Sequence, residues 1–249
     1  MSKYIPDEYW AEHFRKRPGL LGTGHRRFTL EYNIKMYEVA TEQLQQALAR
    51  SDVNLTNARV LDVGSGFGYY VNRYLAWGAQ AVTGVDLTQQ AVDHLKATFP
   101  GQEFHQADIS EPGWEVGKTY DLVSAISMIF HIVEPARFRS ALTNLCRHVV
   151  PGGHLLVVDS FQRQWLPTAP HARLRDLADY RPVLEAEGLE LVGLYPMHFL
   201  MGRALIPVIG PALFNQPLIT RLLAGLERQL LRSGLSPAWL NFLIAVKRG

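Results

Sequence analysis

This chain has a single cysteine, no long uninterrupted apolar run and almost no net charge, and each shortage excludes something. Cys146 is alone among 249 residues, so no disulfide forms within the chain and a thiolate-built metal site is disfavoured. No stretch reaches the roughly 18 consecutive apolar residues of a membrane span. The first residues, MSKYIPDEYW, lack the apolar segment of a secretory signal, so the expectation is a cytoplasmic protein. With 25 basic and 23 acidic residues the net charge is +2, which leaves no electrostatic footprint for nucleic acid. What is present is apolar residues, at 47%, enough for the substantial core of one α/β domain with additions.

The most informative stretch is residues 60 to 70, VLDVGSGFGYY. A short apolar strand ends at Val63, and Gly64, Ser65, Gly66, Phe67 and Gly68 turn the backbone into a helix from about Tyr69. Glycine reaches backbone angles closed to other residues and, lacking a Cβ, lets a flat ligand approach the main chain. The spacing is G-x-G-x-G. The dinucleotide fingerprint wants its third glycine where Tyr69 stands, so a nicotinamide or flavin cofactor is disfavoured. A glycine turn that serves only tight packing is the alternative.

Two acids follow at regular intervals. AVTGVD, residues 81 to 86, is a second apolar run ending in Asp86, and EFHQAD, residues 103 to 108, repeats the design with Asp108 before Ile109. A carboxylate after the second strand matches the vicinal diol of a ribose. The plainer alternative for each is a helix cap, as for Asp86 ahead of Thr88. Further strands are expected at 120–126, 154–160, 189–195 and 241–247, with helices at 31–50, 136–148, 179–187 and 217–233. Strand and helix in alternation imply a parallel sheet with its ligand at the carboxyl edge, where Asp62, Asp86, Asp108 and Ser124 would stand.

These motifs together resemble the class I methyltransferases, across residues 58 to 195 and the final strand. The resemblance implies a Rossmann-like sheet in the order 3-2-1-4-5-7-6 with the last strand antiparallel. It also implies S-adenosylmethionine (SAM) as cofactor and S-adenosylhomocysteine as product. Asp62, Gly64, Ser65, Gly66, Gly68 and Ser124 would surround the methionine part, Asp86 and Leu87 the ribose, and Asp108 and Ile109 the adenine. Residues 126 to 161, from ISMIFHIVEP to VVDSF, are similar to bacterial small-molecule and glycan-type members with FHI after the fourth strand. That similarity sets His131 near the sulfonium, as a general base for a hydroxyl or as a hydrogen-bonded core residue. Enzymes acting on exocyclic amines of bases resemble one another in an Asn/Asp-Pro-Pro-aromatic motif, and here Ser124, Ala125, Ile126 and Ser127 stand instead. Cys146 is expected to be a small core residue and not a nucleophile.

Three stretches lie outside the common fold. Residues 1–57 form a helical extension whose aromatics, with Arg26 and Asn33, are candidates to cover the cofactor or hold its carboxylate. Residues 161–176 carry Trp165, His171 and Arg173, which suit a hydroxylated acceptor or an ordinary exposed loop. Residues 196–249 belong to the same domain as the core, 58–195. Between residues 196 and 239 lies an apolar insertion, with Phe199 and Met201 as candidate acceptor contacts. Leu218, Ile219, Leu222, Leu223, Leu226 and Leu230 fall on one helical face that calls for burial, a dimer contact with a second copy, or a membrane surface. The functional expectation is methyl transfer from SAM to a small molecule, at a hydroxyl oxygen. Carbon or nitrogen methylation, a SAM-dependent reaction without methyl transfer, and a binding protein without turnover stand as alternatives.

Overall fold

The computed structural model describes residues 4–162, 169–201, 211–234 and 238–249. Seven strands form one sheet: β1 (Arg59–Val63), β2 (Ala81–Asp86), β3 (Glu103–Gln106), β4 (Tyr120–Ala125), β5 (Val149–Asp159), β6 (Leu189–His198) and β7 (Leu240–Lys247). Their order is β3-β2-β1-β4-β5-β7-β6, parallel except for β7, which runs antiparallel to both neighbours. This is the Rossmann-like methyltransferase fold that the motifs imply. Parallel strands need crossovers, and α4 (Tyr69–Ala76), α5 (Gln89–Thr98), α6 (Pro135–Arg147) and α7 (Leu177–Ala186) supply them.

Local chemistry sets these boundaries. Gly68 takes φ +82° and caps α4, a conformation costly for a residue with a Cβ. The Thr88 hydroxyl caps α5, and the Glu134 carboxylate accepts from the N–H groups of Ala136 and Arg137 to start α6 at Pro135. Three strands differ from the sequence expectation: β6 runs on through Pro196, Met197 and His198, residues expected in the insertion. β3 ends at Gln106, so Asp108 stands in the loop beyond it, and β5 begins at Val149, carrying Pro151, Gly152 and Gly153 inside an irregular register with β4.

The sheet is covered on both faces. Phe138, Leu142, Leu145 and Tyr180 from α6 and α7 pack on one face, together with the fully buried Cys146. Leu44, Leu48, Val71, Tyr74 and Leu95 pack on the other, from α3 (Leu30–Arg50), α4 and α5. The N-terminal extension also contributes α1 (Pro6–Lys16) and α2 (Leu20–Thr23).

The insertion between β6 and β7 contains α8 (Pro211–Phe214) and α9 (Pro217–Arg232). It packs on α3 through a third apolar cluster containing Phe28, Tyr32, Val39, Met201, Phe214 and Leu223. The face of α9 read from the sequence is corrected here. Leu218, Leu222 and Leu226 are 69%, 65% and 51% exposed, whereas Thr220, Ala224 and Glu227 are buried. The reason is polar. The Glu227 carboxylate accepts from the backbone N–H groups of Phe199 (2.5 Å), Leu200 (2.6 Å) and Met201 (3.2 Å), which turns this side of the helix inward. Arg221 and Arg228 then reach Glu31 and Glu42 on α3. Among the described residues no helix is long and apolar enough to cross a membrane.

Candidate active site

A cavity of about 830 Å³ opens at the carboxyl edge of β1, β2 and β4, bounded above by α1. Gly64 and Gly66 form its floor, at φ +73° and +52°. A Cβ on Gly64 would lie 2.7 Å from Met128, and one on Gly66 would lie 2.6 Å from the Thr23 methyl. The two glycines therefore keep open a narrow passage between the main chain, the loop after β4 and the N-terminal extension. The loop is tied to β2, for Gly64 and Ser65 donate their N–H to the Val85 carbonyl and Gly66 donates to Asp86 Oδ2 at 2.9 Å.

Asp86 is buried, and burial raises its pKa against the opposing effect of its donors. Thr88 gives Oδ1 both its backbone N–H (2.9 Å) and its hydroxyl (2.8 Å), Oδ2 accepts the Gly66 N–H, and the neighbouring Leu87 N–H also favours the ionised form. A carboxylate oxygen accepts about two hydrogen bonds, so Oδ2 retains capacity for one more. Leu87 lies beside it in the cavity wall. Asp108 and Ile109 line the next part of that wall. Asp108 Oδ1 accepts from the Ser110 N–H and hydroxyl, and Oδ2 accepts from Arg137 at 2.5 Å. Arg137 also reaches Glu111 and the Ser110 hydroxyl.

Asp62 and Ser124 lie one layer below. Ser124 donates its hydroxyl to Asp62 Oδ1 at 2.7 Å, both are buried, and neither lines the cavity. Burial pushes Asp62 up to about 6. Ser65 donates its hydroxyl to the Asp62 carbonyl, bracing the turn, and Gly68 is spent on the start of α4.

The opposite wall is aromatic and apolar: Tyr4, Ile5, Pro6, Trp10 and Phe14 come from α1 and the residues just before it, and Ile132 and Val133 from the loop after β4. His131 stands between them, with the Trp10 ring 4.8 Å away at 75°. Its Nδ1 lies 2.8 Å from the His171 carbonyl oxygen. A carbonyl only accepts, so in the neutral ring Nδ1 carries the proton and Nε2 keeps its lone pair. The His171 ring itself stacks on Tyr9 at 4.9 Å.

The loops after β4 and β5 are joined at several points. The Arg173 N–H donates to the Phe130 carbonyl at 2.7 Å. The Arg175 guanidinium donates to the carbonyls of Ile132 (2.6 Å), Val133 (3.3 Å) and Arg173 (3.1 Å), lying 3.8 Å over the Phe138 ring. Asp159 at the end of β5 accepts from the N–H groups of Ser160 and Arg175 and from the Tyr180 hydroxyl, and burial pushes it up to about 6.

Of the residues singled out in the sequence, Gly64, Gly66, Asp86, Leu87, Asp108, Ile109, His131 and Arg173 meet around this one cavity. Others do not. Asn33 is buried and spends its amide locally, accepting from the His25 N–H and donating to the Thr29 carbonyl. Arg26 is exposed, and its carbonyl accepts from Arg17. Phe199 and Met201 belong to the cluster between α3 and α9, away from the cavity wall, because Glu227 draws their backbone toward α9. Trp165 lies outside the described residues. Sequence reasoning missed Arg137, whose partner Asp108 is 29 positions away with no local pattern joining them. It also missed Met128 and Thr23, visible only as what the glycines leave room for. Among the described residues no group of His, Cys, Asp and Glu is arranged to hold a metal ion.

Sheet order and glycine loop define the class of fold, and comparison with known proteins agrees. Residues 60–153 match a family described as a methyltransferase domain. Over 108 residues the chain is 32% identical to the ubiquinone biosynthesis O-methyltransferase of Aromatoleum aromaticum, covering 42% of this chain and 44% of that protein. It is 29% identical over 134 residues to the tRNA U34 carboxymethyltransferase of Pseudoalteromonas translucida, covering 49% of this chain and 40% of the relative. The chain thus spans about half the length of the curated relatives it matches. In fold it is similar to magnesium protoporphyrin IX methyltransferase from Synechocystis PCC 6803, crystallised with S-adenosylhomocysteine. The TM-score is 0.62 at 14% identity, covering 96% of this chain and 97% of that one.

Proposed function

We propose that this chain is a SAM-dependent methyltransferase acting on a small molecule, at a hydroxyl oxygen. The observation that carries the reading is the junction of Gly66 and Asp86: a glycine turn that a Cβ would obstruct is bonded to a buried carboxylate with unspent acceptor capacity. This suits SAM. Gly64 and Gly66 would admit its methionine part, Asp86 with Leu87 would take the ribose, and Asp108 with Ile109 the adenine. Asp62, Ser124, Ser65 and Gly68 would act from beneath, holding the turn in shape. The matched methyltransferase domain and the similarity to an enzyme named as an O-methyltransferase support the same reading.

When bound, SAM supplies a methyl group on a positively charged sulfur, open to direct displacement. The chain's own part is alignment, exclusion of water and handling of one proton. Trp10, Phe14 and Ile132 would dry the acceptor side, and His131, whose Nδ1 lies against the His171 carbonyl, would take the hydroxyl proton at Nε2 while that carbonyl stabilises the imidazolium. A near-neutral net charge favours a small acceptor over RNA, although one relative is named for a tRNA reaction. Incubation of the purified chain with methyl-labelled SAM and hydroxylated, amino and carbon-acid acceptors, plus bulk tRNA, tests this. Label on the oxygen of a small acceptor supports it. A folded chain that does not bind SAM in calorimetry overturns it.

A further inference from the structure

Arg173 lines the same cavity in an unusual situation. Its backbone is held on both sides: the N–H donates to the Phe130 carbonyl at 2.7 Å, and its carbonyl accepts from Arg175 at 3.1 Å. Arg175 is itself buried and anchored to the loop after β4, so the rigid join fixes where residue 173 emerges. The Arg173 side chain is exposed and has no ion-pair partner among the described residues. The other arginine lining the cavity among the described residues, Arg137, is neutralised by Asp108 and Glu111. The nearby acid Glu134 is spent on the first turn of α6, and those backbone N–H groups hold its carboxyl below the usual range. The acceptor end of the cavity thus combines an apolar, aromatic wall with one unspent guanidinium on an immobilised stem.

We infer that the acceptor is an apolar, aromatic-type molecule bearing an anionic group, carboxylate or phosphate, that pairs with Arg173 while its hydroxyl faces His131. This rests on the methyl-transfer reading above and narrows its substrate class. A guanidinium on the wall of a largely apolar cleft binds an anion through charge-assisted, often bidentate hydrogen bonds, and a neutral analogue forfeits them. Charge at one end and an apolar wall at the other would fix the acceptor's orientation, so that only one of its oxygens reaches the base.

The test separates this inference from the reading beneath it. Chain saturated with S-adenosylhomocysteine is titrated by calorimetry with 4-hydroxybenzoate, 4-hydroxycinnamate and 4-hydroxyphenyl phosphate, and with the matching amides and methyl phosphonate diester. Each anion is expected to bind at least about 10-fold more tightly than its neutral partner, an advantage that shrinks with added salt. Arg173→Gln should reduce the ratio to about one, and Arg173→Lys should keep part of it, with S-adenosylhomocysteine affinity unchanged in both. Turnover with wild-type chain then reports which oxygen is methylated, the hydroxyl or the anion itself. Methylation of the anion overturns the assigned orientation. No advantage of anion over neutral partner in any pair, or an advantage that survives Arg173→Gln in a folded variant, overturns the inference. Failure to bind S-adenosylhomocysteine is a separate result and falls on the methyl-transfer reading.

Discussion

The Gly66 N–H donates to Asp86 Oδ2 at 2.9 Å, so the glycine turn after β1 and the acid after β2 are one unit before any ligand arrives. Thr88 supplies both donors to the other oxygen. A ribose diol reaching Asp86 would therefore meet the less occupied oxygen, Oδ2, first, and a bond to Oδ1 would compete with the Thr88 hydroxyl.

Asp86→Ala removes the acceptor and frees the Gly66 N–H at once. The expected outcome is a loss of SAM affinity of about 1.5–3 kcal/mol, the range for a hydrogen bond to a charged group. Thr88→Val should cost less SAM affinity, since it leaves the Asp86 carboxylate in place, while the lost cap of α5 appears as reduced stability. Calorimetry on folded variants checks both. Equal losses would mean that Thr88 is part of the grip on the ligand and not a rival for it.

What could be read in advance follows from how local each signal is. Strand ends, glycine turns and the acids after β2 and β3 sit within a few residues of the elements they serve, so Gly64, Asp86 and Asp108 were legible. Arg137 reaches Asp108 across 29 positions, and Glu227 gathers the N–H groups of residues 26 to 28 positions earlier. No periodicity announces such pairings. The leucines of α9 illustrate the cost: spacing identified a helix, but a buried carboxylate with three backbone donors outweighed three leucines in choosing the inner face. Asn33 misled for a related reason, as an amide beside aromatics suits a ligand as well as it suits the carbonyls of its own helix start.

Asp159 makes stability depend on pH in a definite direction. Its ordinary value is 3.8, and burial raises it to about 6 in the folded chain against the opposing effect of the Tyr180 hydroxyl and the Ser160 and Arg175 N–H groups. Between those values the folded state holds the extra proton, so stability should fall as pH rises from about 4 to about 6. Asp62 acts in the same sense over the same window. Asp159→Asn should reduce the slope in urea unfolding between about pH 4 and 6, leaving the part that Asp62 contributes. An undiminished slope in that variant would assign the effect elsewhere.

Met201 is fully buried among Phe28, Tyr32, Val39 and Phe214. Met201→Ala should cost about 2–5 kcal/mol of stability, as large-to-small changes in packed cores do. SAM affinity and the Michaelis constant for the acceptor should stay within about twofold at a temperature where the variant is folded. A shifted acceptor preference without lost stability would return this segment to the pocket wall.

His131 offers a division between chemistry and packing, because in the proposed reaction its two nitrogens would do separate work. Nδ1 is committed to the His171 carbonyl at 2.8 Å, fixing the tautomer, and the ring edge meets Trp10. If Nε2 takes the acceptor's proton, His131→Ala should lower kcat by about 10²-fold, the scale of a lost general base, with SAM affinity nearly intact. His131→Gln can still donate to the His171 carbonyl but cannot act as a base, so it should be as slow as alanine while keeping more of the wild-type stability. Near-normal turnover in His131→Gln, with stability falling only in the alanine variant, would reduce His131 to a strut between the two acceptor-side loops and leave alignment alone to carry the reaction.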